Sequence, residues 1–378
     1  MTKTGLGNVS IDQFFQRHWQ KRPLLVRDAL PQCAGLVRLN TLLDLASRDD
    51  LESRLVQFEK KNWHVRYGPF TRRELARLPA SGWTLLVQGV DRVLPAARDL
   101  LDRFRFVPLA RLDDVMVSYA PPGGGVGPHF DSYDVFLLQL QGARRWRVSA
   151  QRDLSLVEGA PLRILRRFRA AREWVVRAGD LLYLPPRYAH DGVAVTNCIT
   201  CSIGFRAPGA QELGVKFLEF LQERLNLSGM YADPDLRSQR HPAELGNAMV
   251  RKLRRLLDRL DWSEADVERF FGCYLSEPKA NVVFSRPLRP LAAPDFLRRA
   301  ARHGVRLALP TRMLFRKGTF FINGEACPAP PAAARTLRRL ADEGRLLPGE
   351  IDDRVSKPWL YQWYRAGYLQ LADRRKRR

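Results

Sequence analysis

Two histidines and one aspartate have the residue types and the spacing of a metal site. His129 and Asp131 lie two positions apart in PPGGGVGPHFDSYDVFLLQL, and His190 follows a turn in GDLLYLPPRYAHDGVAV. Alternate residues of an extended segment point to the same side, so His129 and Asp131 can bind one ion together. Two imidazoles and one carboxylate leave half of an octahedron open, as Fe(II) oxygenases require. The pattern predicts a catalytic Fe(II) site held by His129, Asp131 and His190.

Other ligand sets fit this pattern less well. A structural zinc site would need four closed ligands and would usually include cysteines. Asp134 could replace Asp131, but Asp134 lies five residues from His129 and on the opposite strand parity. Asp191, next to His190, is expected to be a loop carboxylate or to support a ligand from outside the metal site. The glycine-rich loop before His129 and the strand after it favour a metal site over two hydrogen-bonded core histidines.

An inward-facing arginine near these residues indicates an anionic cosubstrate. In RRWRVSA, Arg144, Trp146 and Val148 share one strand face, and the two apolar side chains mark that face as the interior. A buried guanidinium needs an anionic partner. The distal carboxylate of 2-oxoglutarate would suit it, because guanidinium and carboxylate form bidentate pairs. A carboxylate of the protein itself is the alternative partner, and the sequence does not decide between them.

The elements that must position these residues are short strands. From about 83 to 206, apolar runs separated by Gly, Pro and polar turns predict a barrel or a double-sheet jelly roll rather than a parallel sheet. Residues 209–280 carry apolar side chains at helical spacing and are expected to pack against a second copy of the chain. Helices and a hairpin turning at Lys317-Gly318 then predict a winged-helix-like domain over 281–378, with a basic tail. The predicted oxygenase domain is 1–208.

Composition limits the partners of the chain without naming them. The formal net charge is +23 over 378 residues, which favours polyanions such as RNA, although an arginine-rich genome would give the same balance. No apolar stretch is long enough to span a membrane, and no secretory leader is expected. Five scattered cysteines suit a reducing cytoplasm. The Cys198-x-x-Cys201 pair is not expected to bind a metal, because strand residues three apart face opposite sides.

Several long motifs resemble one known family. WQKRPLLVR, YGPF, PPGGGVGPHFDSYDVFLLQLQGARRWRV, LPPRYAHDG and SIGFRAP are similar to the JmjC-type 2-oxoglutarate oxygenases, in particular to bacterial ribosomal oxygenases that hydroxylate an arginine. The resemblance runs over the whole chain and is greatest from about 115 to 206. It implies a mixed α+β chain: a cupin-like double-stranded β-helix, a helical dimerisation region and a winged-helix-like domain.

The same resemblance implies an activity and its ligands. It implies protein arginine 3-hydroxylation of a large-subunit ribosomal protein, with Fe(II), 2-oxoglutarate and O₂, by a homodimer. The positive charge of the chain adds the expectation of a ribosomal RNA contact, and its few cysteines add that of a cytoplasmic location. His129, Asp131 and His190 match the iron ligands, and Arg144 matches the cosubstrate arginine. Ser118 is expected to face the cosubstrate. Val126 stands where some relatives have a threonine. The resemblance therefore implies that this hydroxyl contact is either missing or supplied from elsewhere, for example by Ser118, Asn197 or Ser202.

The substrate side of the site is less determined by the sequence. Tyr119, Tyr133 and Asp134 are near the metal ligands in sequence and are candidates for stacking on, or pairing with, a substrate guanidinium. A histidyl hydroxylase, a protein demethylase and a cupin-like nucleic-acid-binding regulator without catalysis are the alternatives.

Overall fold

The computed structural model describes residues 6–60, 62–351 and 353–372, and the basic tail at 374–378 lies outside them. The N-terminal part contains eleven strands. They are β1 (Leu24–Val26), β2 (Ser53–Glu59), β3 (Asn62–Tyr67), β4 (Trp83–Val87), β5 (Leu112–Ala120), β6 (Val135–Gln141), β7 (Ala143–Ser149), β8 (Arg172–Arg177), β9 (Leu181–Leu184), β10 (Ala189–Ala194) and β11 (Cys198–Phe205).

Short helices accompany these strands. They are α1 (Ile11–Arg17), α2 (Leu39–Ala46), α3 (Arg72–Leu75) and α4 (Pro95–Leu101), with single 3₁₀ turns at Pro31–Cys33, Val90–Arg92, Asp102–Phe104 and Leu109–Arg111. Helix α1 begins at Ser10, whose hydroxyl accepts from the Gln13 backbone N–H while the Gln13 side chain accepts from the Ser10 N–H. Such a reciprocal cap satisfies two backbone donors that a helix start would otherwise leave free.

Two facing sheets form the predicted jelly roll. The larger sheet has the order β1-β9-β6-β11-β5-β4-β2-β3, and the smaller has the order β10-β7-β8. Every strand pair with a defined register in these sheets is antiparallel. The prediction of a double-sheet fold over about 83–206 is confirmed, and strands β1 to β3 add to it from outside that range.

The larger sheet separates two apolar layers. Its outer face packs on helices α1, α2 and α4 in the main core, to which β11 contributes Ile199, Cys201, Ile203 and Phe205. Its inner face packs on the smaller sheet through Val135, Leu137, Trp146, Val148, Val176, Leu182 and Leu184. Each layer uses alternate residues of the same strands, as a pleated strand with both faces covered requires.

Three helices follow the jelly roll: α5 (Ala210–Gln222), α6 (Asn247–Leu257) and α7 (Glu264–Ser276). Helices α5 and α6 bury no residue, whereas α7 buries Phe270 and Leu275. Large apolar side chains are therefore exposed here, among them Leu218, Val250, Leu253 and Leu257.

The C-terminal part is a separate α+β core. It contains α8 (Ala293–His303), β12 (Val305–Leu307), β13 (Met313–Arg316), β14 (Thr319–Ile322), β15 (Glu325–Pro328), α9 (Pro331–Glu343), β16 (Arg345–Leu346), α10 (Lys357–Ala366) and β17 (Leu369–Leu371). Helix α8 is capped by Gly304, where φ is 80° and a Cβ would lie 2.3 Å from the Leu346 carbonyl oxygen. The predicted hairpin turns between Arg316 and Thr319.

The C-terminal part and the helices contact the jelly roll at Asp113. Lys279 Nζ lies 3.0 Å from Asp113 Oδ2, Arg206 Nε lies 3.4 Å from Asp113 Oδ1, and Arg312 Nη1 donates to the Leu112 carbonyl at 3.0 Å. Burial opposes ionisation of Asp113, but the charges of Lys279 and Arg312 hold its pKa below the usual range. Among the described residues, no helix is long and apolar enough to cross a membrane.

Candidate functional site

His129, Asp131 and His190 meet at the open end of the jelly roll. Backbone bonds join the two histidines: His129 N–H donates to the His190 carbonyl at 2.9 Å, and the reverse bond measures 2.8 Å. Ligand atoms of all three side chains lie within 4.8 Å of one another. His190 Nε2 is 3.7 Å from Asp131 Oδ2. Two imidazoles and one carboxylate at these distances can hold one divalent metal ion.

The two imidazole rings are oriented by the backbone. His129 Nδ1 lies 2.8 Å from the Gly127 carbonyl oxygen, and His190 Nδ1 lies 2.9 Å from the Tyr188 carbonyl oxygen. A carbonyl accepts, so each Nδ1 carries the proton and each Nε2 is left as the metal-binding atom. Burial, with a contribution from His129, lowers the pKa of His190 to about 4. His190 is therefore neutral near pH 7, which is the form that binds metals.

The two other candidate acids point away from this cluster. Asp134 is fully buried behind the sheet, where it accepts from the Tyr183 hydroxyl at 2.5 Å and from Gln20 Nε2 at 3.0 Å. Its prediction as a substrate contact is wrong, because strand parity places it on the outer side. Asp191 lies on β10, not on a loop, and pairs with Arg147 at 2.5 Å.

The glycine-rich loop before His129 passes close to the strand that carries His190. A Cβ on Gly125 would lie 2.8 Å from the carbonyl oxygen of Gly192, which is on the same strand as His190. Only a residue without a side chain permits this approach of two backbones. The loop thereby brings His129 beside His190.

Arg144 is buried in the interior, on the face predicted for it. Its side chain is 5% exposed, and its Nε and Nη2 have no hydrogen-bond partner among the described residues. Burying a guanidinium with unsatisfied donors costs several kcal/mol. These donors suit the carboxylate of an organic acid, and no carboxylate of a described residue lies within 4 Å of them. The alternative of a protein partner for Arg144 is therefore not supported.

The polar groups proposed to accompany Arg144 are not all in the interior. Ser118 is buried on the inner face of β5, with its hydroxyl 3.5 Å from the Thr200 carbonyl. Thr200 Oγ1 donates to Gln139 Oε1 at 3.0 Å beside it. Asn197 is exposed on the β10–β11 turn, so its prediction as a cosubstrate contact is wrong.

A cavity of about 750 Å³ opens beside the metal cluster. His129 and Asp131 form part of its wall, together with Gln88, Asp114, Met116, Val126, Tyr133, Ser202 and Lys279. The charge of Asp131, together with burial, raises the pKa of Tyr133 above its usual range, so the phenol stays protonated. Tyr119 does not line the cavity: its ring packs on Trp83, with centroids 5.4 Å apart, in the outer core. Its prediction as a substrate contact is wrong.

Sequence reasoning missed the acid on the cavity wall. Asp114 is 4% exposed and accepts from Gln88 Nε2 at 2.8 Å and from Lys279 Nζ at 2.8 Å. Strand parity in LDDVMVSYA could have identified it, because Asp114, Met116 and Ser118 alternate on one face. The partner Lys279 comes from a distant segment, and nothing local in the sequence indicates that contact.

The two cysteines of the CxxC segment face opposite sides of the sheet, as predicted. Cys201 belongs to the outer core, and Cys198 packs with Ala120 and Ala194. All five cysteines are free thiols.

Comparison with protein families gives two matches along the chain. Residues 99–213 match the JmjC domain, and residues 257–370 match a domain described as ROXA-like winged helix. The first range contains the metal cluster and Arg144, and the second begins before α7 and ends in β17.

Two bacterial relatives match most of the chain. It is 33% identical over 351 residues to the ribosomal protein uL16 3-hydroxylase of Escherichia coli, covering 91% of this chain and 92% of the relative. It is 34% identical over 297 residues to a probable ribosomal oxygenase of Haemophilus influenzae, covering 74% of this chain and 70% of the relative.

Solved structures agree with this relationship. The ribosomal oxygenase YcfD of Escherichia coli, in complex with cobalt and 2-oxoglutarate, superposes with a TM-score of 0.84 at 30% identity, over 97% of this chain and 99% of that one. Another crystal structure of YcfD gives a TM-score of 0.86, over 96% of this chain and 98% of that one. The chain is a 2-oxoglutarate-dependent dioxygenase that uses Fe(II) and O₂, and it belongs to the JmjC-domain ribosomal oxygenases.

Proposed function

We propose that this enzyme hydroxylates an arginine side chain of a large-subunit ribosomal protein. His129, Asp131 and His190 would hold the Fe(II) ion, and Arg144 would hold the distal carboxylate of 2-oxoglutarate. The observation that carries the choice of arginine is Asp114, a carboxylate in the wall of the cavity that also exposes His129 and Asp131. The name of the Escherichia coli relative, a uL16 3-hydroxylase, supports a ribosomal protein as the target.

The distance between the metal cluster and Arg144 suits the cosubstrate. Across the β7–β10 ladder, His190 is opposite Val148, and Ala194 is opposite Arg144. Arg144 thus lies four residues along the sheet from the metal, about 13 Å of strand. An extended arginine side chain and a five-carbon dicarboxylate can bridge that length. Ser118 and Thr200, which are paired across β5 and β11 of the facing sheet, would supply hydroxyl contacts to the same molecule.

The cavity wall suits an arginine side chain better than the alternatives. Asp114 offers a charge-assisted acceptor for a guanidinium. Met116 and the Tyr133 ring provide apolar surface for the methylene groups, and the Tyr133 and Ser202 hydroxyls provide polar contacts. A methyl-lysine demethylase would need an aromatic cage. A neutral histidine could not form a charge-assisted pair with the Asp114 carboxylate. The non-catalytic regulator is disfavoured, because the chain belongs to an enzyme family.

Each group has a defined task in this proposal. Fe(II) with 2-oxoglutarate and O₂ supplies the oxidising chemistry that protein side chains lack. The carbonyls of Gly127 and Tyr188 fix the two imidazoles, and Arg144 fixes the cosubstrate. Asp114 and Tyr133 would orient the substrate side chain so that one carbon faces the metal. The apolar layer around Trp146 and Val148 keeps bulk water away from the cosubstrate end.

Mass spectrometry tests the proposed reaction. The enzyme, Fe(II), 2-oxoglutarate and O₂ are incubated with ribosomal proteins, and the products are fragmented. We expect one protein to gain the mass of one oxygen atom on an arginine, with one succinate released per oxygen added. His129→Ala serves as the control and should add none. Oxygen added to a histidine, loss of a methyl group, or no modification of any ribosomal protein would contradict the proposal.

We also propose the domain limits 1–208, 209–280 and 281–378, a cytoplasmic location and a homodimer. Val250, Leu253 and Leu257 lie on one face of α6 and are 53%, 51% and 52% exposed. An apolar face of this kind on an otherwise charged helix needs a cover, and a second copy of α5 and α6 would supply it. Leu253→Glu should yield a monomer in analytical ultracentrifugation while the wild type sediments as a dimer. A wild-type monomer would refute this part.

A further inference from the structure

The connection between β7 and β8, residues 150–171, is an unusually basic surface hairpin. This arginine hairpin carries five arginines and two acids. The arginines, Arg152, Arg163, Arg166, Arg167 and Arg169, are all exposed. The proposed hydroxylation does not use this charge, since the cavity wall includes only Arg163 among them.

The arginine hairpin is a built structure rather than a loose loop. Val157 N–H donates to the Ile164 carbonyl at 2.8 Å, and Arg166 N–H donates to the Ser155 carbonyl at 2.9 Å. The Gln151 side chain joins its two ends by donating to the Arg167 carbonyl at 2.9 Å. These bonds hold the backbone that carries the arginines in a defined conformation.

The arginine hairpin is attached to the metal-binding segment. Leu165 N–H donates at 2.8 Å to the carbonyl of Pro128, the residue before His129. The Arg163 guanidinium lies 4.8 Å from the ring centroid of Phe130, the residue after His129. Its apolar residues Leu156, Leu162 and Ile164 line the cavity beside the metal cluster. The exposed arginines therefore stand at the mouth of the active site.

The charges of the hairpin arginines are not neutralised by ion pairs within the described part of the chain. Arg48 pairs with Asp50 at 2.6 Å and Arg254 with Asp258 at 2.9 Å, whereas Arg163, Arg166, Arg167 and Arg169 form no ion pair with any described residue. The nearby Asp153 is held by hydrogen bonds from Ser155, which lower its pKa, with smaller contributions from Arg167 and Arg166. The charge of the arginine hairpin is therefore available to another molecule.

We propose that the arginine hairpin binds the phosphate backbone of structured RNA next to the substrate protein. The enzyme would then recognise its target as a protein–RNA complex, such as a ribosomal particle in assembly, rather than as a free protein. This inference rests on the proposed function for the identity of the substrate, but RNA binding itself does not depend on it.

The chemistry of the mouth favours RNA over other polyanions. Guanidinium groups pair with phosphates in bidentate geometry and stack on exposed bases. A membrane surface would call for large apolar residues beside the arginines, and Val157 is the one large apolar side chain of the hairpin that is exposed. The RNA that carries a ribosomal protein would be attracted to this positive rim.

A binding measurement tests the proposal directly. The full chain is titrated into a fluorescein-labelled fragment of large-subunit ribosomal RNA, and anisotropy is followed at several salt concentrations. The variant Arg166→Glu/Arg167→Glu/Arg169→Glu should bind about tenfold more weakly or worse, and the slope of log Kd against log salt should fall by about two to three. The milder triple Gln variant should weaken binding in the same direction.

A second triple variant with the same change in net charge tests whether the position of the arginines matters. Arg298→Glu/Arg299→Glu/Arg302→Glu makes the same charge change on the exposed side of α8. It should weaken binding by less than about threefold, because these arginines belong to helix α8 of the C-terminal part and not to the arginine hairpin. Equal losses in the two triple variants, no wild-type binding, or tighter binding to vesicles of phosphatidylserine and phosphatidylcholine than to the RNA would overturn the proposal.

Turnover distinguishes this inference from the proposed function. The Glu triple variant of the hairpin should hydroxylate a short arginine peptide as fast as the wild type, because Arg166, Arg167 and Arg169 do not line the cavity. It should lose the wild-type preference for ribosomal particles over the peptide. If the wild type hydroxylates the peptide but does not bind RNA, this inference alone is contradicted. If it binds RNA but hydroxylates nothing, the proposed function alone is contradicted.

Discussion

The two faces of the larger sheet differ in what they carry, although the same strands form both. On β11, Ile199, Cys201 and Ile203 pack into the outer core, and the residues between them, Thr200 and Ser202, point to the inner face. The outer face is a dense apolar and aromatic layer. The inner face holds the polar groups near the metal cluster. Because successive side chains of a strand point to opposite faces, one sheet carries the apolar core residues on one face and the polar residues of the site on the other.

The difference extends to how buried polar groups are satisfied. The outer carboxylate Asp134 has three side-chain partners, Tyr183, Gln20 and Arg111, whereas the inner Arg144 has two donors without any partner among the described residues. A satisfied buried group stabilises one packing arrangement, and an unsatisfied one is a sign of ligand binding. Changes on the two faces should therefore have different consequences.

Removing a metal ligand should give the largest effect on activity. His129→Ala leaves two of the three proposed ligands, so succinate release should fall to the level of the iron-free protein. The free energy of unfolding should change by less than about 1 kcal/mol, because His129 is only partly buried. Succinate assays and urea unfolding measure the two quantities. Substantial iron-dependent turnover by this variant would disprove the assignment of His129.

Truncating the outer face should give the largest effect on stability. Phe136 is fully buried, and its ring lies 4.9 Å from those of Phe104 and Tyr183. Phe136→Ala should cost about 3–5 kcal/mol of unfolding free energy, measured with guanidinium chloride. Ser202→Ala on the inner face is the matched control and should cost less than about 1 kcal/mol. Similar losses of unfolding free energy in both variants would contradict the proposed difference between the two faces.

A smaller loss of stability is expected at Asp134. Asp134→Asn replaces a carboxylate that accepts from Tyr183 at 2.5 Å and faces Arg111 at 3.5 Å. The amide weakens both contacts, so the unfolding free energy should fall by about 1–3 kcal/mol. The KM for 2-oxoglutarate should stay as in the wild type, because Asp134 points away from the cavity. A raised KM with unchanged stability would place Asp134 in the site after all.

The smallest effect is expected at the rim of the inner face. Lys279 is 37% exposed and neutralises Asp113 and Asp114. Lys279→Met should lower the KM for an arginine peptide by about threefold, since a competing cation is removed and solvent screens the charge. The kcat should not change, and Lys279→Arg should behave as the wild type. A higher KM in the Met variant would mean that Lys279 assists substrate binding.

Residue type and strand parity predicted much of the inner face. They grouped His129 with Asp131, set Arg144 beside Trp146, and separated Cys198 from Cys201. The same rule applied to β5 would have excluded Tyr119 and found Asp114. Proximity in sequence was the weaker guide, because Tyr119 and Asp134 are near the ligands along the chain but on the wrong side of the sheet.

Long-range contacts could not be predicted in this way. Lys279 reaches Asp114 across 165 positions, and Arg312 reaches Leu112 across 200. Such contacts depend on how whole elements pack, and no local pattern encodes them. The anchoring of the arginine hairpin to Pro128 belongs to the same class, because its bond is made by backbone atoms that any sequence carries.

The inner face of the larger sheet is thus built around an anion-binding arginine and a metal site, whereas the packing of the outer face supplies most of the stability. Calorimetric titration of 2-oxoglutarate into the Fe(II)-loaded Arg144→Leu variant, without oxygen, tests it most directly. We predict about a hundredfold weaker binding than in the wild type, with unchanged or higher thermal stability, because an unpaired buried charge is removed. Wild-type affinity for 2-oxoglutarate, or a loss of stability like that of Phe136→Ala, would contradict the claim.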